Sequence, residues 1–98
     1  MLSVTEILSE GSDNARTGRE LCNVLNVNAR ELTIAIERER RAGAPICANT
    51  HNPPGYYLAA NKEEMRQYCN RLRHRAGEIH KTRNACINSM RGLPDQEA

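Results

Sequence analysis

Short apolar runs alternate with polar segments along the first sixty residues, and one longer helical pattern follows them. Each of four apolar runs is preceded by a polar residue with a glutamate three positions later, the pattern of a capping box at a helix N-terminus. The pairs are Ser3 and Glu6, Thr17 and Glu20, Asn28 and Glu31, and Asn61 and Glu64. They predict a short first helix ending by Gly11, a second over residues 18–25, a third of about fifteen residues ending at Gly43, and a fourth running to about Met90.

The connection between the second and third predicted helices is only a few residues long. Leu25 and Val27 are apolar residues at this corner, and we expect them to fill it. Leu32, Ala35 and Ile36 recur at helical spacing and form the inward face of the third helix. So short a connection forces two helices into a sharp crossing, which is typical of a helix-turn-helix.

After Gly43 the pattern changes from helical to short and apolar. Residues 44–48 and 56–59 are separated by the turn-rich segment 49–55, which predicts a β-hairpin. Pro45 suits the start of an edge strand because it has no N–H. Tyr56 and Tyr57 should point to opposite faces, one toward the core.

The fourth helix carries an apolar stripe in which residues recur at alternating spacings of four and three, as in a coiled coil. We interpret it as a dimerisation element, with a fold-back over the first helix as the alternative. Gly77, inside this helix, predicts a bend or a close helix crossing. The candidate dimerisation residues are Met65, Cys69, Leu72, Ala76, Ile79 and Cys86, and Arg83 and Met90 continue the spacing.

Together these elements predict a mainly α chain with a small β-hairpin, an α+β fold. Residues 1–60 form the helix-turn-helix and hairpin domain, residues 61–91 the long C-terminal helix, and residues 92–98 a disordered tail.

Composition narrows the possible functions. The chain has 14 basic and 12 acidic residues, and the excess of bases lies in the middle segment and the long helix. Twelve of the basic residues are arginine, whose planar group suits phosphate and guanine. The alternative is that these arginines only solvate helix surfaces. The absence of Phe and Trp argues against stacking of single-stranded bases.

The four cysteines lack CxxC spacing, so we predict core thiols and neither a metal site nor a redox motif. The start of the sequence has neither a basic segment nor a long apolar run, which predicts a cytoplasmic protein without a membrane span. No nucleophile, carboxylate pair or phosphate-binding glycine loop stands at usable spacing. We therefore expect no enzyme activity and no cofactor.

The segments 17–32, 38–46 and 54–58 resemble the winged helix-turn-helix of bacterial repressors, such as the DNA-binding domain of the biotin repressor and its relatives. The long basic helix after the hairpin extends the resemblance to small winged-helix proteins of phages and prophages of Gram-positive bacteria. One departure is Glu39, where the repressor pattern often has a large apolar residue. Another is that the third helix carries acidic residues, Glu31 and Glu37.

The resemblance implies double-stranded DNA as the partner. If the third helix lies in the major groove, its N-terminal and outward residues reach the bases, with Arg30 the first candidate. The second helix would bind phosphate through its N-terminus, and the hairpin tip would contact the backbone or minor groove. A lone histidine such as His51 is more often an ordinary loop residue. The candidates are Thr17, Arg19, Asn28, Ala29, Arg30, Thr33, Glu37, Asn49, Thr50, His51 and Asn52.

We therefore expect a sequence-specific DNA-binding protein, a phage or prophage transcriptional regulator that acts as a homodimer. The alternative is a winged-helix module that binds a protein, such as a phage inhibitor of a host defence enzyme that handles nucleic acid. A recombination or replication accessory factor is a further alternative.

Overall fold

The computed structural model describes residues 2–96, and its elements follow the predicted order. They are α1 (Val4–Ile7), α2 (Gly18–Leu25), α3 (Ala29–Arg41), β1 (Ile46–Asn49), β2 (Gly55–Leu58) and α4 (Lys62–Ser89), with 3₁₀ turns at Ser12–Asn14 and Met90–Gly92. Residues 2–96 are mainly helical and contain one antiparallel two-stranded sheet, which confirms the α+β prediction and the long C-terminal helix.

The four predicted helix starts are confirmed by side-chain caps. Ser3 Oγ and Thr17 Oγ1 each accept the N–H of the glutamate three residues later, at 3.2 Å. Asn61 Oδ1 accepts the N–H of Glu64 at 2.9 Å. Each cap satisfies an N–H that has no partner within its helix. The first helix is shorter than predicted, because the backbone is already extended at Leu8.

The hairpin is confirmed with a shift in its bounds. β1 begins at Ile46 and extends to Asn49, and Cys47 faces Tyr57 across the pair. On the other edge of β2, the backbone of Arg16 exchanges two hydrogen bonds with Tyr56, at 2.8 and 2.9 Å. Leu58 pairs in turn with Ser9 and Gly11. The chain between α1 and α2 therefore lies alongside β2 and ties the hairpin to the helices.

Two clusters of buried side chains form the core. The first joins α1, α2, α3 and β1, and consists of Val4, Leu8, Leu21, Leu32, Ile36 and Ile46. The second consists of Cys47, Tyr57 and Tyr68. Tyr57 is buried in the second cluster and Tyr56 packs half-buried against the first, which confirms that the two tyrosines face opposite sides of the strand.

The chain divides into two units, one up to Tyr68 and one from Cys69. Both clusters belong to the first unit. In the second, every residue from 69 to 96 is exposed. Among the described residues, no helix combines the length and hydropathy needed to cross a membrane. The predicted disordered tail includes Glu97 and Ala98, which lie outside the described residues.

Two predictions about α4 need correction, and one of its candidate dimer residues is partly packed in the core. That residue is Met65, which packs half-buried against the second cluster. Cys69 and Cys86 are exposed rather than core thiols, because the core ends at Tyr68. A Cβ at Gly77 would meet nothing within 4 Å, so no described residue makes the close crossing suggested for this glycine.

Candidate nucleic-acid interface

The turn between α2 and α3 sets the angle of the two helices. Asn26 ends α2 in the left-handed conformation, with φ of 55°, which asparagine tolerates better than most residues. The N–H of Val27 then bonds to Cys22 O at 3.1 Å. Leu25 and Val27 pack half-buried against the first cluster, as predicted for this corner.

Asn28 begins α3 with a complete capping box. Its Oδ1 accepts the N–H of Glu31 at 2.8 Å, and Glu31 Oε1 accepts the N–H of Asn28 at 3.0 Å. This pair is local in sequence, so it holds the first turn of α3 in place without help from the core. It also engages the amide oxygen of Asn28, leaving its NH₂ group to face a partner.

One side of α3 is buried and the other is exposed. Leu32 and Ile36 pack into the first cluster. The opposite side, called here the α3 face, presents Arg30, Thr33, Ile34, Glu37, Arg38 and Arg41 to solvent. All but Arg30 line one shallow groove. The α3 face thus combines guanidinium donors, a hydroxyl, a carboxylate and one apolar side chain.

Two polar groups of the α3 face have intramolecular partners. Thr33 Oγ1 donates to Ala29 O at 3.0 Å, which leaves the hydroxyl oxygen free to accept. The Glu37 carboxylate lies 3.7 Å from Arg40 and 3.8 Å from Arg41. Glu37 therefore offsets part of the positive charge at the C-terminal half of the face, while Arg30 and Arg38 form no ion pair with any described carboxylate.

The N-terminus of α2 is less open to phosphate than its sequence suggests. Thr17 Oγ1 donates to Glu20 Oε1 at 3.2 Å in addition to capping the Glu20 N–H. The Glu20 carboxylate also lies 3.6 Å from Arg16. A carboxylate at this position competes with phosphate for the positive end of the helix. Arg19 is exposed and remains available to an anion.

The hairpin tip is shorter than predicted. Asn49 is the last residue of β1, and its Nδ2 donates to Ser12 Oγ at 2.6 Å, so its predicted place in the tip was wrong. Thr50, His51 and Asn52 are exposed in the connecting loop. Asn52 has a left-handed backbone and precedes a cis bond to Pro53.

Glu39 caps the start of α1, at a position where the repressor pattern often has a large apolar residue. Its carboxylate reaches from α3 to the start of α1 and accepts the N–H groups of Val4 and Thr5, both at 2.8 Å, and the Thr5 hydroxyl. Burial raises the pKa of Glu39, but the hydrogen bonds from Thr5 and Val4 outweigh it and lower the pKa overall. The expected apolar contact is replaced by a helix cap.

Comparison with known proteins adds no information about the α3 face. No family model, curated protein or solved structure matches this chain. Among residues 2–96, no group of three His, Cys, Asp or Glu side chains is placed to hold a metal ion. The chemistry of the exposed side chains therefore carries the assignment of function.

The sequence analysis found half of the α3 face and missed the rest. Thr33 and Glu37 share the groove with Ile34, Arg38 and Arg41, which were not predicted as contacts. Helical spacing contained the information, because residues three, four, seven and eight positions apart share a face. The prediction omitted these three residues because it gave most weight to the N-terminal turns of the helix.

Proposed function

We propose that this chain binds double-stranded DNA as a winged helix-turn-helix, with α3 in the major groove and the β1–β2 hairpin as the wing. The observation that carries the proposal is the α3 face, a row of exposed polar and basic side chains on a helix held by the short turn after α2. Support also comes from the pairing of Arg16 with Tyr56, which ties the hairpin next to the helix pair. A helix of this width fits the major groove.

The side chains of the α3 face match the chemistry of base edges. Arg30 and Arg38 can donate two hydrogen bonds each to guanine, and one such pair discriminates against the wrong base by about 1–3 kcal/mol. Ile34 is 47% exposed and suits an apolar contact with a thymine methyl group. Thr33 and Glu37 can accept hydrogen bonds from the amino groups of adenine or cytosine.

Other candidate contacts would position the helix without reading sequence. Thr50, His51 and Asn52 can bond to backbone oxygens from the wing, and Arg19 can bind phosphate from α2. The N–H of Ala29, in the first turn of α3, has no partner within the helix and is suited to a phosphate oxygen. These contacts would add affinity that falls with salt.

Within this proposal the chain is a non-catalytic, cytoplasmic regulator of transcription in a phage or prophage. The predicted homodimer through α4 is not retained, because arginines within and beside the predicted contacts would face like charges of a second copy. Of its candidate contacts, Met65 is already packed in the second cluster, and the other five are exposed.

The test is fluorescence anisotropy with a labelled random duplex of 30 base pairs, at low and moderate salt. We expect binding whose log affinity falls linearly with log salt, as release of counterions from phosphate requires. Arg30→Ala and Arg38→Ala should each weaken binding by about tenfold, corresponding to roughly 1.4 kcal/mol.

Arg91→Ala is the matched control, because it removes the same charge from the turn after α4. It should leave the affinity within about twofold if α3 is the element that binds. Failure of the wild-type chain to bind duplex at low salt would reject the proposal. Equal losses in all three variants would show attraction by net charge alone.

A further inference from the structure

The second unit of the chain exposes an apolar surface of its own. Leu72 is 40% exposed and Ile79 is 63% exposed, although both are large aliphatic residues. With Ala76 and Cys86 they repeat at spacings of four, three and seven, so they share one side of α4. We call these four residues the α4 stripe. Large apolar side chains aligned and exposed along one side of a helix indicate a site of interaction.

The form of the α4 stripe fits a partner helix better than a membrane. Its residues follow the alternating repeat of a coiled-coil seam, which is narrower than the apolar face of an interfacial helix. Helices that lie on membranes bring Trp, Phe and Leu to the interface, and of these the stripe has only Leu72. Arg83 also lies within the seam and interrupts the apolar face that a membrane-surface helix would insert into lipid.

The residues beside the stripe are strongly basic. From residue 69 to residue 89 there are five basic side chains and one acidic one, Glu78, which is engaged by Lys81 at 3.2 Å. Arg73 and Arg75 follow and precede stripe positions, on opposite edges of the seam. Within the described chain, Arg73, Arg75 and Arg83 pair with no carboxylate. The seam is therefore apolar along its centre except at Arg83, and it is positive on both edges.

These charges disfavour a second copy of this chain as the occupant. In a parallel pair of α4 helices, Arg83 would face the same residue of the other copy inside the seam. In parallel or antiparallel pairs, the edges would bring Arg and His side chains against one another. Like charges at these positions destabilise a coiled coil, whereas carboxylates opposite them stabilise it.

We propose that residues 69–89 of α4 bind an amphipathic helix of a different protein, whose apolar seam is flanked by Asp and Glu. Its acidic residues would pair with Arg73 and Arg75, and an acidic or amide side chain within its seam would meet Arg83. The Arg fork can donate two parallel hydrogen bonds to one carboxylate, which sets the register of the two helices. This site shares no residue with the α3 face and does not depend on DNA binding.

The experiment uses the full chain and three labelled helical peptides of about four heptads each. The first has a Leu seam and Glu on both edges. The second keeps the Leu seam with Lys on the edges, and the third keeps the Glu edges with Ser in the seam. We expect the first peptide to bind at least about tenfold more tightly than either of the others. Equal binding of the first and third would overturn the proposal, because it would show charge attraction without a seam.

Substitutions on the chain locate the site. Ile79→Ser and the double variant Arg73→Glu with Arg75→Glu should each weaken binding of the first peptide by about tenfold or more. Lys81→Glu is the control, because this position is about 200° around the helix from Ile79 and faces away from the seam. It should change the affinity less than about twofold, and circular dichroism checks that each variant keeps its helix.

Other occupants give distinct results. Sedimentation equilibrium that finds a dimer lost in Ile79→Ser would assign the stripe to a second copy and reject the proposal. Cosedimentation with phosphatidylserine vesicles, or binding to duplex DNA, that is lost in Ile79→Ser would reject it in favour of those partners. Because the DNA test relies on α3 variants, failure of one proposal is distinguishable from failure of the other.

Discussion

At Gly55 the hairpin backbone meets the backbone of the segment before α2. This glycine has φ of +125°, a conformation that residues with a side chain rarely adopt. A Cβ there would lie 2.1 Å from Arg16 O and 2.8 Å from Thr17 N. Both are backbone atoms, and Arg16 O is already bonded to the Tyr56 N–H, so no side-chain rotation can relieve the contact.

We therefore predict that Gly55→Ala lowers the free energy of unfolding by about 3 kcal/mol or more, from backbone strain together with the clash. Urea denaturation followed by circular dichroism measures the change. Gly77→Ala is the control, because its Cβ would meet nothing and alanine favours the helix by about 1 kcal/mol. A loss below about 1 kcal/mol at Gly55 would contradict this hairpin geometry.

Through Glu39, the free energy of unfolding depends on pH. Its pKa is lower in the folded chain than its ordinary value of 4.5, so folding favours the carboxylate. The stabilisation is complete above pH 4.5 and is lost as the pH falls through the folded pKa, since protonation removes the acceptor of the α1 N–H groups. The pKa of Glu64 is also lowered, by hydrogen bonds from the Ala60 and Ser12 N–H groups, so it adds to the acid sensitivity.

We predict that Glu39→Gln lowers the free energy of unfolding at pH 7 by about 1–2 kcal/mol, because a neutral amide is a weaker acceptor. The difference from the wild type should shrink as the pH falls below 4.5 and through the lowered pKa of Glu39, because the wild-type carboxylate then protonates. Urea titrations at several pH values measure both effects. Glu37→Gln, on the exposed side of the same helix, serves as the control. A difference that stays constant with pH would argue against the cap.

At the scale of the element, α3 depends on its first turn. Asn28→Ala should lower the free energy of unfolding by about 1 kcal/mol, because the Glu31 N–H loses its acceptor. Asn28→Ser is the matched variant, because serine also caps and should retain most of the stability. Thermal unfolding by circular dichroism distinguishes the two. Equal losses would mean that tertiary packing, and not the cap, holds the start of α3.

At the scale of the whole molecule, the two units predict a pattern of thiol reactivity. Cys69 and Cys86 are exposed, Cys22 is half-buried and Cys47 is buried in the second cluster. Iodoacetamide labelling of the native chain, followed by peptide mass spectrometry, should modify Cys69 and Cys86 first and Cys47 last, because a thiol must be accessible to react. Labelling in urea should remove the difference. Native modification of Cys47 as fast as Cys86 would contradict the burial of the second cluster.

Features that depend on residues close together in the sequence were predicted accurately, whereas features that depend on distant residues were not. The bounds of α2 were predicted to the residue, since Thr17 and Glu20 form its cap and Asn26 ends it within one turn of the chain. The predicted place of Asn49 in the hairpin tip was wrong, because the partner that holds it, Ser12, lies 37 residues away. A polar residue beside turn-forming residues resembles a loop residue whether or not a distant partner holds it.

The same difference between local and distant contacts applies to α4. Its start, its length and its repeating apolar stripe were all readable from spacing, because a helix is built from contacts between near neighbours. Where its burial ends was not readable, since Met65 and Leu72 belong to one repeat and only Met65 has a cluster to pack against. The contact between Arg40 and Tyr68 was not readable from the sequence either. The Arg40 guanidinium lies 5.1 Å from the centre of the Tyr68 ring, and the two residues are far apart along the chain.

The sequence by itself determined the helices, their caps, the hairpin and the spacing of the side chains along each face. These depend on backbone conformation and on groups three or four residues apart. Only the tertiary structure decided that Glu39 caps α1, that Tyr68 completes the second cluster, and that the α4 stripe is exposed. Each of these depends on which distant segments meet, because burial and partner choice are properties of the packed chain rather than of any local pattern.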